Sequence, residues 1–164
     1  SPLMWKTGHS LIKAKMAETG AELAGEMSGH FFFAERWYGF DDGIYAAARL
    51  LEIMDGSAHA PSELLESVVY GVSTPELKLQ VPGDDAHGFV ERFRAIARFE
   101  GARASTIDGL RVDWPDGWGL VRASNTTPVV VMRFDADSNA AMARIQQVFR
   151  DQLLAVEPAL QLPF

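Results

Sequence analysis

Between residues 104 and 132 short apolar segments are broken by two tight-turn signals, and this pattern constrains the fold more than any other feature of the chain. Asp108-Gly109 separates Ala104–Ile107 from Leu110–Trp114, and Pro115-Asp116-Gly117 leads into Trp118–Val121. Glycine and aspartate accept the backbone angles of a two-residue turn, and proline pre-sets one of them, so the segments predict consecutive antiparallel hairpins. Val129–Met132 adds a buried strand. Upstream, Leu77, Leu79 and Val81 alternate with Lys78 and Gln80 as another strand, while Phe89, Phe93, Ile96 and Ala97 fall at helical spacing. Met142, Ile145, Phe149 and Leu153 mark a closing amphipathic helix that Asp137 or Ser138 can cap. The expected order is β-α-β-β-β-α, an α+β domain with a four-stranded antiparallel sheet and helices.

The N-terminal part reads differently. Pro2–Trp5 has the look of a strand. Ser10 suits an N-cap, Ile12 and Met16 share a helix face, and Gly20 suits the stop. A polar loop, Gly25–His30, opens onto a strand at Phe31–Phe33. Asp41 and Asp42 precede a helical stripe of Ile44, Ala47, Ala48, Leu51 and Met54 that ends at Asp55-Gly56. Strand, helix and strand in that order predict a partial α/β domain over residues 1–58. The small, polar, proline-containing stretch Ser57–Ser62 reads as a linker, placing the second domain at 59–164.

Composition removes several function classes. A net charge of −7 and a pI near 5.0 repel a phosphate polymer, which argues against nucleic-acid binding while leaving room for a local pocket for one small anion. The chain has no cysteine, hence no disulfide, thiolate metal site or thiol nucleophile. It has neither a leader-like start nor an uncharged apolar run of membrane-spanning length, so a cytoplasmic, membrane-free protein is expected. At 164 residues and 48% hydrophobic content it can build a packed core.

Two loops concentrate chemistry-bearing groups. Arg122-Ala123-Ser124-Asn125-Thr126-Thr127-Pro128 lies between apolar strands and gathers one guanidinium, three hydroxyls and an amide. Arginine matches phosphate oxygens bidentately, hydroxyls donate, and a tight loop adds backbone N–H groups. The same inventory also serves a polar turn tied by side-chain-to-backbone bonds. In Gly25–His30, the carboxylate of Glu26 and the hydroxyl of Ser28 suit neighbouring sugar hydroxyls. There His30 is either a proton-exchanging imidazole or a hydrogen-bonded histidine at a strand start. His9, at a helix N-terminus, stands near backbone donors that favour anions. Asp41-Asp42-Gly43 invites a metal reading, but acidic residues before a helical stripe more often cap it. Trp37, Tyr38 and Phe40 either stack on a sugar or simply pack, and His59 and His87 read as surface residues.

Taken together, GHSLIK, GEMSGH, ERWYGFDDGIYAAARLLE, DGLRVD and GWGLVRASNTTP resemble the α-D-phosphohexomutase superfamily, in particular its bacterial phosphomannomutase/phosphoglucomutase group. The likeness runs nearly end to end. Phosphoglucosamine mutases are less similar, typically carrying glutamine where Met27 stands and a GTEP-like string where Asn125–Pro128 stands. The resemblance implies the end of the third of four domains joined to the whole fourth, whose fold is TATA-binding-protein-like. It implies an isomerase that moves a phosphoryl group between hexose carbons 1 and 6 through a bisphosphorylated sugar, with Mg²⁺ and glucose 1,6-bisphosphate serving the intact enzyme. It assigns Glu26 and Ser28 to the hydroxyls at carbons 3 and 4. Arg122, Ser124, Asn125, Thr126 and Thr127 go to the non-transferring phosphate, and His30 and His9 to proton transfer.

A loop that ignores carbon 2 discriminates poorly between glucose and mannose, which differ there. No TASHNP-like serine loop and no DGDGDR-like metal motif occurs here. The chain is therefore expected to position substrate without turning it over, and to need the missing N-terminal domains of the same enzyme. A stand-alone sugar-phosphate-binding module is the alternative. Loss of an upstream half-domain would leave a strand edge open to dimerisation.

Overall fold

Glycines bracket the first helix, α1, which spans His9–Thr19. Gly8 enters it at φ 133°, a conformation that side chains disfavour, and Gly20 ends it at φ 69° with its N–H on the Met16 carbonyl. Ser10 is not the cap. It lies within the first turn, its hydroxyl facing His9 Nδ1 at 3.3 Å, because the chain becomes helical two residues earlier than a Ser10 cap requires. The computed structural model describes residues 1–66, 68 and 71–164 and divides into two compact units, Ser1–Val69 and Tyr70–Phe164.

In the first unit α1 is followed by a short antiparallel hairpin, β1 (Leu23–Gly25) with β2 (Phe31–Phe33), in the register Leu23↔Phe33 and Gly25↔Phe31. Helix α2 covers Gly43–Asp55 and α3 covers Pro61–Glu66. Asp42 caps α2, one carboxylate oxygen accepting from the N–H groups of Ile44 and Tyr45, both at 3.0 Å. Ile12, Met16 and Phe32 form the core. The strand expected at Pro2–Trp5 is absent, since no strand pairs with that segment and Leu3 and Met4 stay exposed. Helix and sheet are mixed as expected, but the two strands are neighbours in a hairpin rather than flanking a helix.

The expected linker Ser57–Ser62 runs into α3, whose entry is closed by the Glu63 carboxylate accepting the Ala60 N–H at 3.0 Å, with Pro61 as its first residue. The two units accordingly part at 69/70, whereas the sequence suggests 58/59.

The second unit contains β3 (Val72–Ser73), β4 (Leu77–Leu79), a 3-10 turn at Pro82–Asp84, α4 (Ala86–Ile96), β5 (Arg103–Ser105), β6 (Leu110–Trp114), β7 (Gly117–Ala123), β8 (Val130–Ala136) and α5 (Asn139–Val156). The sheet runs β3-β8-β7-β6-β5, antiparallel throughout, with β4 also pairing with β8. It has six strands instead of four: β3, which lies outside the expected Leu77–Val81 strand, sits end to end with β4 along β8, and the hairpin arm at Arg103–Ser105 is a strand of its own, β5, at the far edge. Both turns fall where expected, Trp114 pairing with Gly117 across Pro115-Asp116 and Ser105 with Arg111 across the Asp108-Gly109 loop. Ser138, not Asp137, caps α5 by accepting the Ala141 N–H at 3.2 Å.

Alternate residues of β6 and β7 point inward. They meet Phe89 and Phe93 of α4 and Ile145, Phe149 and Leu153 of α5, all buried. Gly119 has no side chain because Phe149 occupies that space, its Cζ standing 2.8 Å from where a Cβ would lie.

Candidate functional site

The polar loop of the first unit is shaped by its backbone. Gly29, at φ 88°, donates its N–H to the Glu26 carbonyl at 3.0 Å, and Glu26 donates its own to the His30 carbonyl at 2.9 Å. Met27, Ser28 and Gly29 are thereby displayed at the tip of the β1–β2 hairpin, all exposed. The Glu26 carboxylate reaches back to α1, where Oε1 accepts the Gly8 N–H at 3.3 Å. This ties GHS to GEMSGH within one unit. Ser10 remains beside His9, and both are exposed.

His30 has a partner that sequence reading missed. Its Nδ1 stands 2.6 Å from Asp41 Oδ2. The two are eleven positions apart, but an antiparallel bridge joins Phe32 to Asp41 and brings them together. The acidic pair divides its work, Asp41 facing the imidazole while Asp42 caps α2 and accepts the Trp37 indole N–H at 3.1 Å. Trp37 stacks on Tyr45, with centroids 4.3 Å apart and planes at 6°. Neither aspartate belongs to a metal-type cluster, for among the described residues no three His, Asp or Glu side chains converge.

In the second unit Arg122 and Ala123 end β7, and Ser124–Val129 form the loop into β8. Ser124 donates its N–H to the Val129 carbonyl at 2.9 Å and so closes the loop base. Its hydroxyl oxygen accepts from the N–H groups of Thr126 and Thr127, each at 3.3 Å, and from the Thr127 hydroxyl at 3.0 Å. Asn125, Thr126 and Thr127 are exposed. Several donors are thus aimed at one oxygen, which is the arrangement a phosphate oxygen needs.

Arg122 lies half-buried on the sheet face opposite α4 and α5, with one Nη on the Ala123 carbonyl at 3.3 Å. Register places Lys78, Arg111 and Arg133 on the same face, through the pairs Lys78↔Val131↔Arg122 and Arg111↔Leu120↔Arg133. Of these, Arg111 is paired with Asp113 at 2.7 Å. Lys78 and Arg133 escape sequence reading because only the pairing of strands far apart in the chain brings them near Arg122. Gly109, at φ 75°, holds the β5–β6 turn against β7, and a Cβ there would come within 2.6 Å of Arg122 Cα. The DGLRVD string thus sets the backbone from which the arginine projects.

Residues 1–70 match the family model described as phosphoglucomutase/phosphomannomutase, alpha/beta/alpha domain III. Residues 76–152 match that described as phosphoglucomutase/phosphomannomutase, C-terminal domain. The chain belongs to the phosphoglucomutase/phosphomannomutase family. A phosphomannomutase/phosphoglucomutase of Pseudomonas putida is 57% identical over 162 residues, covering 99% of this chain and 35% of the relative. A phosphoglucomutase of Neisseria gonorrhoeae is 58% identical over 150 residues, or 90% of this chain and 32% of the relative. The crystal structure of a phosphoglucomutase/phosphomannomutase family protein from Burkholderia thailandensis superposes with a TM-score of 0.90 at 61% identity, covering all of this chain and 34% of that one. The chain therefore spans about a third of the length of the relatives it matches. No helix among the described residues is long and apolar enough to cross a membrane.

Proposed function

We propose that this chain is the sugar-reading and phosphate-holding part of a mutase that interconverts hexose 1-phosphate and hexose 6-phosphate by way of a bisphosphorylated sugar. Arg122, Ser124, Asn125, Thr126 and Thr127 hold the phosphate that is not being transferred. Glu26 and Ser28 read two sugar hydroxyls, and His30, with His9 nearby in sequence to the same unit's first helix, handles the proton of the attacking hydroxyl. The observation that carries this reading is the convergence of the Thr126 and Thr127 donors on one point, at the end of the strand that bears Arg122. In the free loop the Ser124 oxygen takes those donors; a phosphate oxygen would replace it, and the guanidinium would add charge-assisted bonds. Lys78 and Arg133 on the same face raise the local positive potential despite the chain's net charge of −7.

Other domains of the same enzyme supply the phosphoserine and Mg²⁺, and the protein works in the cytoplasm. Among the described residues none fit a Mg²⁺ site: Asp42 is spent on the helix cap and Asp41 on His30.

Amide NMR titration with glucose 1-phosphate tests the reading, with glucose as the phosphate-free control. Saturable shifts are expected at 122–127, and Arg122→Ala should weaken binding about 10- to 100-fold, the loss of roughly 1.5–3 kcal/mol for hydrogen bonds to a charged group. Shifts of equal size with glucose, or an undiminished affinity in the variant, would overturn the phosphate assignment.

A further inference from the structure

The acid/base role proposed for His30 leaves open which ring nitrogen carries the proton, and how the ring is held while half its surface is exposed. Neutral imidazole has one donor and one acceptor nitrogen, and the partner of one decides the state of the other. An ionised carboxylate has no proton to give, so Asp41 Oδ2, at 2.6 Å from Nδ1, can only accept. Nδ1 must therefore donate, and Nε2 is left with its lone pair. Among the described residues the hydrogen bond of the His30 ring is made through Nδ1, and Nε2 is exposed toward solvent with the ring.

We propose that Asp41 is a positioning residue of the mutase reaction, fixing His30 as the Nδ1–H tautomer so that Nε2 is the atom that accepts a proton from a substrate hydroxyl. The proposal rests on the acid/base reading of His30 and adds to it the residue that makes the reading workable. The fold supports the assignment from the backbone side. The Phe32–Asp41 bridge fixes where Asp41 stands, and the Asp42 N–H on the Phe31 carbonyl at 3.3 Å fixes the next residue. Asp42 in turn is held by the N-terminus of α2. The carboxylate is thus delivered by two anchors that do not depend on the histidine. The step balances: the hydroxyl proton moves to Nε2 as its oxygen bonds to the phosphorus of the phosphoserine that another domain supplies, and the bond from that phosphorus to the serine oxygen breaks, its electron pair staying on the serine oxygen. The imidazolium keeps its Nδ1–H on Asp41, and in the return transfer the serine oxygen attacks the sugar's other phosphate while the departing sugar oxygen takes the proton back from Nε2. Asp41 remains a carboxylate throughout, stabilising the transient imidazolium.

Two measurements test this separately from the phosphate reading. In the chain itself, long-range ¹⁵N–¹H correlation of the His30 ring, at a pH where the ring is neutral, should show protonation at Nδ1. Asp41→Ala should return the ring to the Nε2–H form that predominates in free histidine, and Asp41→Asn, whose amide can donate to Nδ1 as well as accept from it, should no longer hold the ring wholly as Nδ1–H. Should Asp41→Ala fail to fold, the unsubstituted chain and the asparagine variant still decide the point. A ring protonated at Nε2 in the unsubstituted chain, or an unchanged tautomer in a folded Asp41→Ala protein, overturns the assignment.

The second measurement grafts this chain into the Pseudomonas putida relative in place of its matching third. There Asp41→Ala should lower kcat about 10- to 100-fold with KM little changed, part of the roughly 10²–10⁴-fold that a placed acid/base group supplies. Unaltered kcat in both Asp41→Ala and His30→Ala proteins overturns the acid/base reading, whereas unaltered kcat in Asp41→Ala alone overturns the positioning role only.

Discussion

The two units solve the problem of staying folded by different means. In the second, α4 and α5 bury a continuous core against the sheet, and five aromatic rings, Phe93, Phe99, Trp114, Phe134 and Phe149, lie within 6.3 Å of one another along a connected chain. In the first, α2 has no buried residue at all. It is attached by its Asp42 cap, by Tyr45 packed between Phe33 and Trp37, and by a braid of ion pairs in which Arg36 and Arg49 each meet Glu35 and Glu52. Among the described residues, the exposed large apolar side chains lie in the first unit except for Ile96 and Ile107. Apolar burial is the dominant stabilising contribution in small domains, and exposed ion pairs contribute little each. The lesson is that the Arg122–Thr127 loop stands on a self-sufficient scaffold, while the Gly25–His30 loop stands on one that leaves much of its apolar surface exposed.

The largest effect should appear when the units are separated. Residues 71–164 alone should unfold in one sharp urea transition, followed by circular dichroism, whereas residues 1–68 should lose structure gradually or never hold it. A sharp transition from the first unit alone would break the comparison. Within the intact chain, Phe149→Ala should cost about 3–5 kcal/mol, because the ring is fully buried amid four other aromatics and its space cannot collapse. Phe32 is equally buried but has few neighbours, namely Ile12, Met16, Ala21 and Ala24, so Phe32→Ala should cost less. Urea midpoints of the two variants, read at residues of the affected unit, check the order, and equal losses would mean that the smaller core is as tightly determined as the larger.

What could be read from sequence follows the same division. The hairpins at Asp108-Gly109 and Pro115-Asp116, the helix carrying Phe149 and the stop at Gly20 were legible because each is set by local chemistry, a turn residue or a repeat of apolar positions. Asp137 and Ser138 were equally good caps on paper, and only the observed bond to Ala141 separates them. β1 and β3 were illegible, being too short for alternation to register. Pro2–Trp5 and Ser10 misled because a strand needs a partner and a cap needs the right neighbour to be first in the helix, and neither requirement is visible in a short string. The Arg122–Pro128 loop, for which we propose a phosphate, stood out by its composition alone. The His30–Asp41 pair did not, since it depends on a bridge between Phe32 and Asp41 that no periodicity encodes. Lys78 and Arg133 were hidden for the same reason, joining Arg122 only through strand register.

The smallest effect sharpens the contrast by asking whether charge really holds α2. Hydrogen bonds from Arg36, reinforced by the positive charge of Arg36 and Arg49, hold the Glu52 carboxyl below the ordinary carboxylate range even though partial burial works the other way. The Arg36 guanidinium is raised in turn by its bonds to Glu52 and by Glu35, so it stays charged wherever Glu52 titrates. A carboxyl whose folded value is depressed contributes stability above its unfolded value, and that contribution is lost as pH falls through the folded one. Glu52→Gln should therefore loosen the first unit slightly near neutral pH, and the difference from the unsubstituted protein should shrink as the pH falls below the ordinary value of 4.5. Salt should shrink it too, because the braid is exposed and screened. Amide hydrogen exchange along α2, compared between the two proteins across that pH range, reads the effect locally, with α5 as the internal reference. A variant whose α2 exchange matches the unsubstituted protein at neutral pH and low salt would show that Tyr45 and the Asp42 cap hold the helix without the ion pairs, and the first unit would then depend on packing more than its surface suggests.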